Sequence, residues 1–202
     1  MPILKQSRLE TDTFLLRPWT LEDAAMLNAT LLESRDFLLP WMSWIKDVPS
    51  LQDTRASIEK NIKGWEDETD FTIEVFDARD GTTALGSTGF HRLSERIAPD
   101  DAQVGMWIAG ERAHKGLGTE VLKAMLAWGF RGWGFEKLQW RCDPDNLASI
   151  RCALKGGMED QGVWEQQTLP NGDTRDSRVF WLTRESFLAR AAPLPHLHCK
   201  LT

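Results

Sequence analysis

The chain has no tyrosine, although its 202 residues include ten tryptophans and nine phenylalanines. Whatever chemistry it performs, no phenol supplies a proton or a nucleophile. Cysteine is scarce as well: Cys142, Cys152 and Cys199 are odd in number and lack CxxC spacing. That excludes a disulfide scaffold and leads to the expectation of a reduced, cytoplasmic setting. No apolar run approaches the roughly 18 residues of a membrane span. The opening MPILKQSRLETD has no apolar stretch of a secretory leader, so a soluble protein is expected. Basic residues form no block, and 24 Lys and Arg stand against 30 Asp and Glu, a net charge of −6. Nucleic acid and membrane are therefore not expected as partners, while the long-range field favours a cationic, amine-bearing one.

What is present reads as an ordinary globular chain, 42% hydrophobic and 27% charged. One domain is expected across residues 1–202, with a core at about 8–187 and a tail at 188–202. Phe14–Arg17 reads as a strand stopped by Pro18. Thr20 opens a capping box into a helix carrying Ala24, Leu27 and Leu31, and Ser50 with Asp53 opens a second helix ending near Trp65. Between them LLPWMSWIKDVPS reads as a loop. Three strands follow, FTIEVFD, residues 83–90 and QVGMWI, then a helix, the strand KLQWRC and a short helix over 147–155. A hairpin is expected to turn at Pro170-Asn171-Gly172. Only residues 103–142 have the strand–helix–strand rhythm of a parallel crossover. The expected class is therefore α/β (α+β): a mixed, mostly antiparallel, twisted sheet with helices on both faces.

The segment ERAHKGLGTEVLKAMLAWGF, residues 111–130, sets Lys115, Gly116, Leu117, Gly118 and Thr119 directly before an amphipathic stripe of Val121, Leu122, Met125, Leu126 and Phe130. A helix start offers unpaired N–H groups and the positive end of the helix dipole, which together suit an anion such as phosphate. The two glycines would let it approach the backbone, with Lys115 adding charge and Thr119 a hydroxyl. The spacing is neither the dinucleotide fingerprint, which would need glycine at Val121, nor a P-loop, which would need Gly-Lys-Ser/Thr.

Downstream, Asn146, Ser149, Lys155, Gly157 and Met158 fall in a second pattern. Ala113-His114-Lys115-Gly116-Leu117-Gly118 followed by Asn-x-x-Ser and Lys-x-Gly-Met resembles the GNAT superfamily of acetyl-CoA-dependent N-acetyltransferases. Leu-Arg near the start, LLPWMSW, Gly105-Met106-Trp107-Ile108 and the later Asn171-Gly172 with Asp176 are similar to its RimJ/RimL-type branch, which acetylates protein N-termini. The likeness covers about residues 8–185. It implies acetyl-CoA as co-substrate, a GNAT fold and no metal. The backbone of Met106, Trp107 and Ile108 would face the pantetheine arm. His114, Lys115, Gly116, Leu117, Gly118 and Thr119 would hold the pyrophosphate, and Asn146, Ser149 and Cys152 would line the far wall. Two departures stand out: Ala113 replaces the usual Gln or Arg, and Ala153 stands where many members place an acidic tyrosine.

For the chemistry, Ser149 is the preferred donor toward the leaving thiolate, with a helix-capping role as its structural counterpart. Glu159 is placed forward as base among Glu159, Asp160, Glu74 and His91, all read as strand-end residues with solvent exposure as the bland alternative. Trp41, Trp44 and His91 are expected to contact the acceptor; the two tryptophans could equally cover the core. The tail cluster His196-Leu197-His198-Cys199 is read as a tail, not a metal site. The expected function is acetyl transfer to a primary amine, foremost a protein or peptide N-terminus. A small-molecule amine such as an antibiotic, and a non-catalytic acyl-CoA sensor, are the alternatives. A homodimer is left open.

Overall fold

The structure is a computed structural model that describes residues 8–45, 47, 49–92, 98–168 and 174–190. The expected turn at Pro170-Asn171-Gly172 and the tail around His196 and Cys199 lie outside the described residues.

Alternating and continuous apolar runs become eight strands of one sheet: β1 (Leu9–Glu10), β2 (Phe14–Pro18), β3 (Asp70–Asp77), β4 (Ala84–His91), β5 (Asp101–Ile108), β6 (Lys137–Cys142), β7 (Glu159–Thr168) and β8 (Thr174–Thr183). Their order is β1-β2-β3-β4-β5-β6-β8-β7. Every neighbouring pair is antiparallel except β5 with β6. The crossover between those two is helix α3 (Leu117–Trp128), where the strand–helix–strand rhythm places it.

The helix starts follow from their caps. In α2 (Leu51–Glu66) the Ser50 hydroxyl accepts from the Asp53 amide at 3.1 Å, and Asp53 accepts from the Ser50 amide at 2.9 Å. Thr20 and Asp23 form a second box, around a short 3-10 turn that leads into α1 (Ala24–Leu38). The Asp23 carboxylate also takes a two-pronged ion pair from Arg17 of β2, both bonds 2.8 Å, which ties the start of α1 to the sheet. Asn146 caps α4 (Leu147–Lys155), its side chain accepting from the Ser149 amide at 3.0 Å. A short α5 (Arg184–Ala189), not anticipated from the sequence, closes the described chain.

Helices cover both faces. One face buries Ile73, Val75, Phe90, Val104, Leu138 and Phe180 against Val121, Leu122, Met125 and Leu126 of α3. The other carries Trp19, Leu27, Leu31, Leu38, Ile45 and Ile58, with Trp107 packed against them. The aromatic wealth goes largely into the first layer. Trp65, Trp128 and Trp133 meet Phe71 and Phe90 at centroid distances of 4.6–6.3 Å, mostly edge to face. Such pairs contribute about 0.5–1.5 kcal/mol each beyond area burial.

Burial on both sides corrects one expectation. Glu74, read as a strand-end and solvent-facing residue, lies in mid-strand with no exposed surface. Helices above and below a central strand remove the polar face that the alternation suggests.

Candidate active site

The site begins with a divergence in the sheet. β5 and β6 pair only at Asp101–Lys137, Ala102–Leu138 and Gln103–Gln139. Beyond that, β5 stays with β4 as far as Ile108, and β6 stays with β8 as far as Cys142. A wedge therefore opens between the two strands. Ala109 donates its amide to Leu85 of β4 at 2.8 Å, and the Trp107 carbonyl is turned toward Gly86 of the same strand. Since backbone groups alternate sides along a strand, the N–H and C=O of Met106 and Ile108 point the other way, into the wedge. Two of the three expected β5 positions thus offer backbone groups to an extended ligand. Trp107 does not: its backbone serves β4 and its ring packs under α1.

The start of α3 lies at the mouth of this wedge. Gly116 is its N-cap with φ 91°, a left-handed conformation that a β-carbon would strain. His114, two residues earlier, is also left-handed at φ 60°, an uncommon state for a residue with a β-carbon. Thr119 and Glu120 donate their amides to the Gly116 carbonyl. The amides of Leu117 and Gly118 have no acceptor among the described residues. These two unpaired N–H groups at a dipole's positive end fit a phosphate oxygen. Lys115 reaches back to the Glu111 carbonyl at 2.9 Å. It lines a hollow with Arg112, Asp12 and the ion pair of Arg79 with Asp77.

Gly118 faces inward. A β-carbon there would stand 3.5 Å from Met106, 3.6 Å from Ile108 and 3.8 Å from the Cys152 sulfur. The residue therefore marks the gap between β5 and α4. Thr119 spends its hydroxyl on the Cys152 thiol, whose pKa burial pushes up to about 11. Cys152 is thus a neutral wall residue of the gap, not a thiolate.

On the far wall the Ser149 hydroxyl accepts the Trp140 indole N–H at 3.0 Å. It is also hydrogen-bonded to the Cys142 thiol, whose pKa burial raises. The capping role belongs to Asn146. Ser149 is thereby held at the wedge side of α4 by two residues of β6, neither of which the sequence analysis connected to it.

Glu74 and His91, next to Ile73, Val75 and Phe90 of the α3 layer, alternate onto the opposite face of the sheet, whereas Asp160 is the register partner of Phe180 in the α3 layer. Trp44 is 55% exposed and Trp41 half-buried, so Trp44 does not cover the core. Glu159 sits on the outermost strand and is ion-paired with Arg190 at 2.5 Å. Asp160 is held low by hydrogen bonding from Arg178. Burial raises the Glu74 carboxyl well above its ordinary value, and neither of its oxygens has a hydrogen-bond partner among the described residues. His91 binds Asp70 of β3 through Nδ1 at 2.5 Å, a pairing missed from sequence because Asp70 lies 21 residues upstream. Among the described residues no group of three or more His, Cys, Asp or Glu is placed to hold a metal ion.

A sheet split by a wedge, with two unpaired amides of a helix start at its mouth, suits a long co-substrate that carries phosphate. Residues 13–159 match the model of the acetyltransferase (GNAT) domain, and the chain belongs to that family of acetyl-CoA-dependent N-acetyltransferases. It is 29% identical over 181 residues to the uncharacterized N-acetyltransferase YoaA of Bacillus subtilis, covering 87% of this chain and 96% of that one. It is 29% identical over 166 residues to the aminoglycoside N(6')-acetyltransferase type 1 of Klebsiella pneumoniae, covering 80% of each. Its fold is similar to that of RimL, a ribosomal L7/L12 alpha-N-protein acetyltransferase solved with coenzyme A, at a TM-score of 0.76 and 20% identity over 89% of this chain and 99% of that one.

Proposed function

We propose that the enzyme acetylates the α-amine of a peptide or protein N-terminus, in the manner of the RimJ/RimL-type branch. The observation that carries this reading is the state of three carboxylates on β3 and at the start of α1. Asp23 is matched by Arg17, Asp70 is hydrogen-bonded by His91, and Glu74 is buried, its carboxyl pushed well above its ordinary value. A polycationic sugar needs several free carboxylates, whereas a single α-amine with pKa near 8 needs none. The exposed indole of Trp44 offers an apolar surface to the residues that follow such an amine.

In this reading the N–H groups of Met106 and Ile108 polarise the thioester carbonyl. The unpaired amides of Leu117 and Gly118 hold the pyrophosphate, and Ser149 donates toward the departing thiolate. A cytoplasmic location agrees with the free cysteines Cys142 and Cys152. No helix among the described residues is long and apolar enough to cross a membrane.

The similarity to an aminoglycoside acetyltransferase favours a second reading, a small polyamine or aminosugar as acceptor. Thiol release from acetyl-CoA against N-terminal peptides, polyamines and aminoglycosides separates the two. Fastest turnover on peptides with a free N-terminus, abolished by blocking that amine, is expected; fastest turnover on an aminoglycoside overturns the peptide reading.

A further inference from the structure

His91 ends β4, and its ring lies across the sheet rather than away from it. Nδ1 meets Asp70 Oδ1 of β3 at 2.5 Å. On the other side, a β-carbon on Gly105 of β5 would stand 2.8 Å from His91 Nε2, and one on Gly89 would stand 3.1 Å from Cε1. Gly89 and Gly105 are register partners, so two missing side chains form the floor on which the imidazole rests. A carboxylate only accepts, so Asp70 fixes the ring proton on Nδ1 and leaves the Nε2 lone pair free. Nε2 has no hydrogen-bond partner among the described residues. It is aimed at β5, one residue before Met106, where the strand turns its backbone into the wedge.

The same register row decides between His91 and Glu159. It runs His91–Gln103–Gln139–Trp181–Glu159 across β4, β5, β6, β8 and β7. At about 4.8 Å per strand, Glu159 is three strands or roughly 14 Å from β5, whereas His91 is adjacent to it. Glu159 is also engaged by Arg190.

We propose that Asp70 and His91 form the general-base dyad of the transferase, with His91 the catalytic residue and Asp70 its positioning residue. Nε2 takes a proton from the acceptor ammonium, directly or through one water. The freed nitrogen pair forms the bond to the thioester carbonyl carbon, and the carbon–sulfur bond breaks. The thiolate leaves with the second amine proton, and the proton on Nε2 returns to solvent. The inference rests on amine acetylation but not on which amine is used.

The test uses the full chain and whichever amine the wild type acetylates fastest, so a wrong acceptor class and a wrong base are read separately. His91→Gln keeps a polar side chain without a base. Near pH 7 it should lower kcat about 100-fold, within the usual reach of general-base help, with acetyl-CoA affinity by calorimetry unchanged. Asp70→Asn should lower kcat by a smaller factor. Among the described residues the charged group in contact with the ring is Asp70, while β5 opposes it with Gln103 and Gly105, which carry no charge. The deficit should therefore shrink as pH rises past the amine's own pKa, near 8 for an α-amine, because the acceptor then needs no base. A purely structural role for His91 predicts a deficit that pH does not repair. That outcome, or a kcat unchanged in His91→Gln, overturns the dyad.

Discussion

Trp140 donates its indole N–H to the hydroxyl of Ser149 across 3.0 Å, joining the strand on the far side of the wedge to the helix that closes it. Trp140 is 4% exposed, so this hydroxyl is the acceptor for an N–H that water cannot serve.

Ser149→Ala therefore has two expected consequences. Leaving a buried donor unmatched costs about 1–3 kcal/mol of stability. Loss of a hydrogen bond to the thiolate lowers kcat about tenfold, close to 1.4 kcal/mol, with little change in the KM for acetyl-CoA. Urea unfolding and steady-state kinetics on one preparation read both. Normal kcat beside a lowered unfolding midpoint would assign Ser149 to Trp140 alone.

Gly118→Val should weaken acetyl-CoA binding at least tenfold, about 1.4 kcal/mol. The added side chain points toward Met106, Ile108 and Cys152, filling the gap proposed for the pantetheine arm. Gly118→Ala makes only ordinary contacts there and should bind far better than the valine variant. Calorimetry with coenzyme A measures both, and circular dichroism checks that each is folded. Equal affinities in wild type and Gly118→Val would remove this gap from the binding path.

Glu74→Gln should change how stability depends on pH. Burial holds the folded-state pKa well above its ordinary value of 4.5. Stability belonging to the protonated form is therefore complete below about pH 4.5 and is lost as pH rises through the folded value. A glutamine carries no such proton. The variant should gain on the wild type as pH rises above about 4.5, by at most roughly 1.4 kcal/mol per pH unit. Denaturant midpoints across that range check it, and a constant difference between the proteins would show that Glu74 is ionised in the fold.

Much of this was legible in the linear chain because it depends on neighbours close in sequence. The capping box at Ser50, the span of β6 and the glycine loop before α3 are local events, set by residues a few positions apart. The family was legible for the same reason: the glycine loop before α3 and the Asn-x-x-Ser turn each lie within one short segment. What the loop's glycines do was only half legible. Gly116 is needed for its backbone conformation, whereas Gly118 is needed for the space it leaves toward β5 and α4.

The sequence by itself determined the strand–helix order, the glycine-marked helix start and the exclusion of tyrosine chemistry, since each follows from residue type and short-range spacing. Tertiary structure alone decided which side chains share the site. Asp70 meets His91 and Trp140 meets Ser149 because strand register and a helix crossing bring them together. The same long-range pairing separates Glu159 from β5 by three strands and submerges Glu74 between two helical layers. Hydrophobic periodicity records that a face is covered, but not which partner covers it. Partner choice is settled only when the whole sheet closes its hydrogen bonds and its core at once.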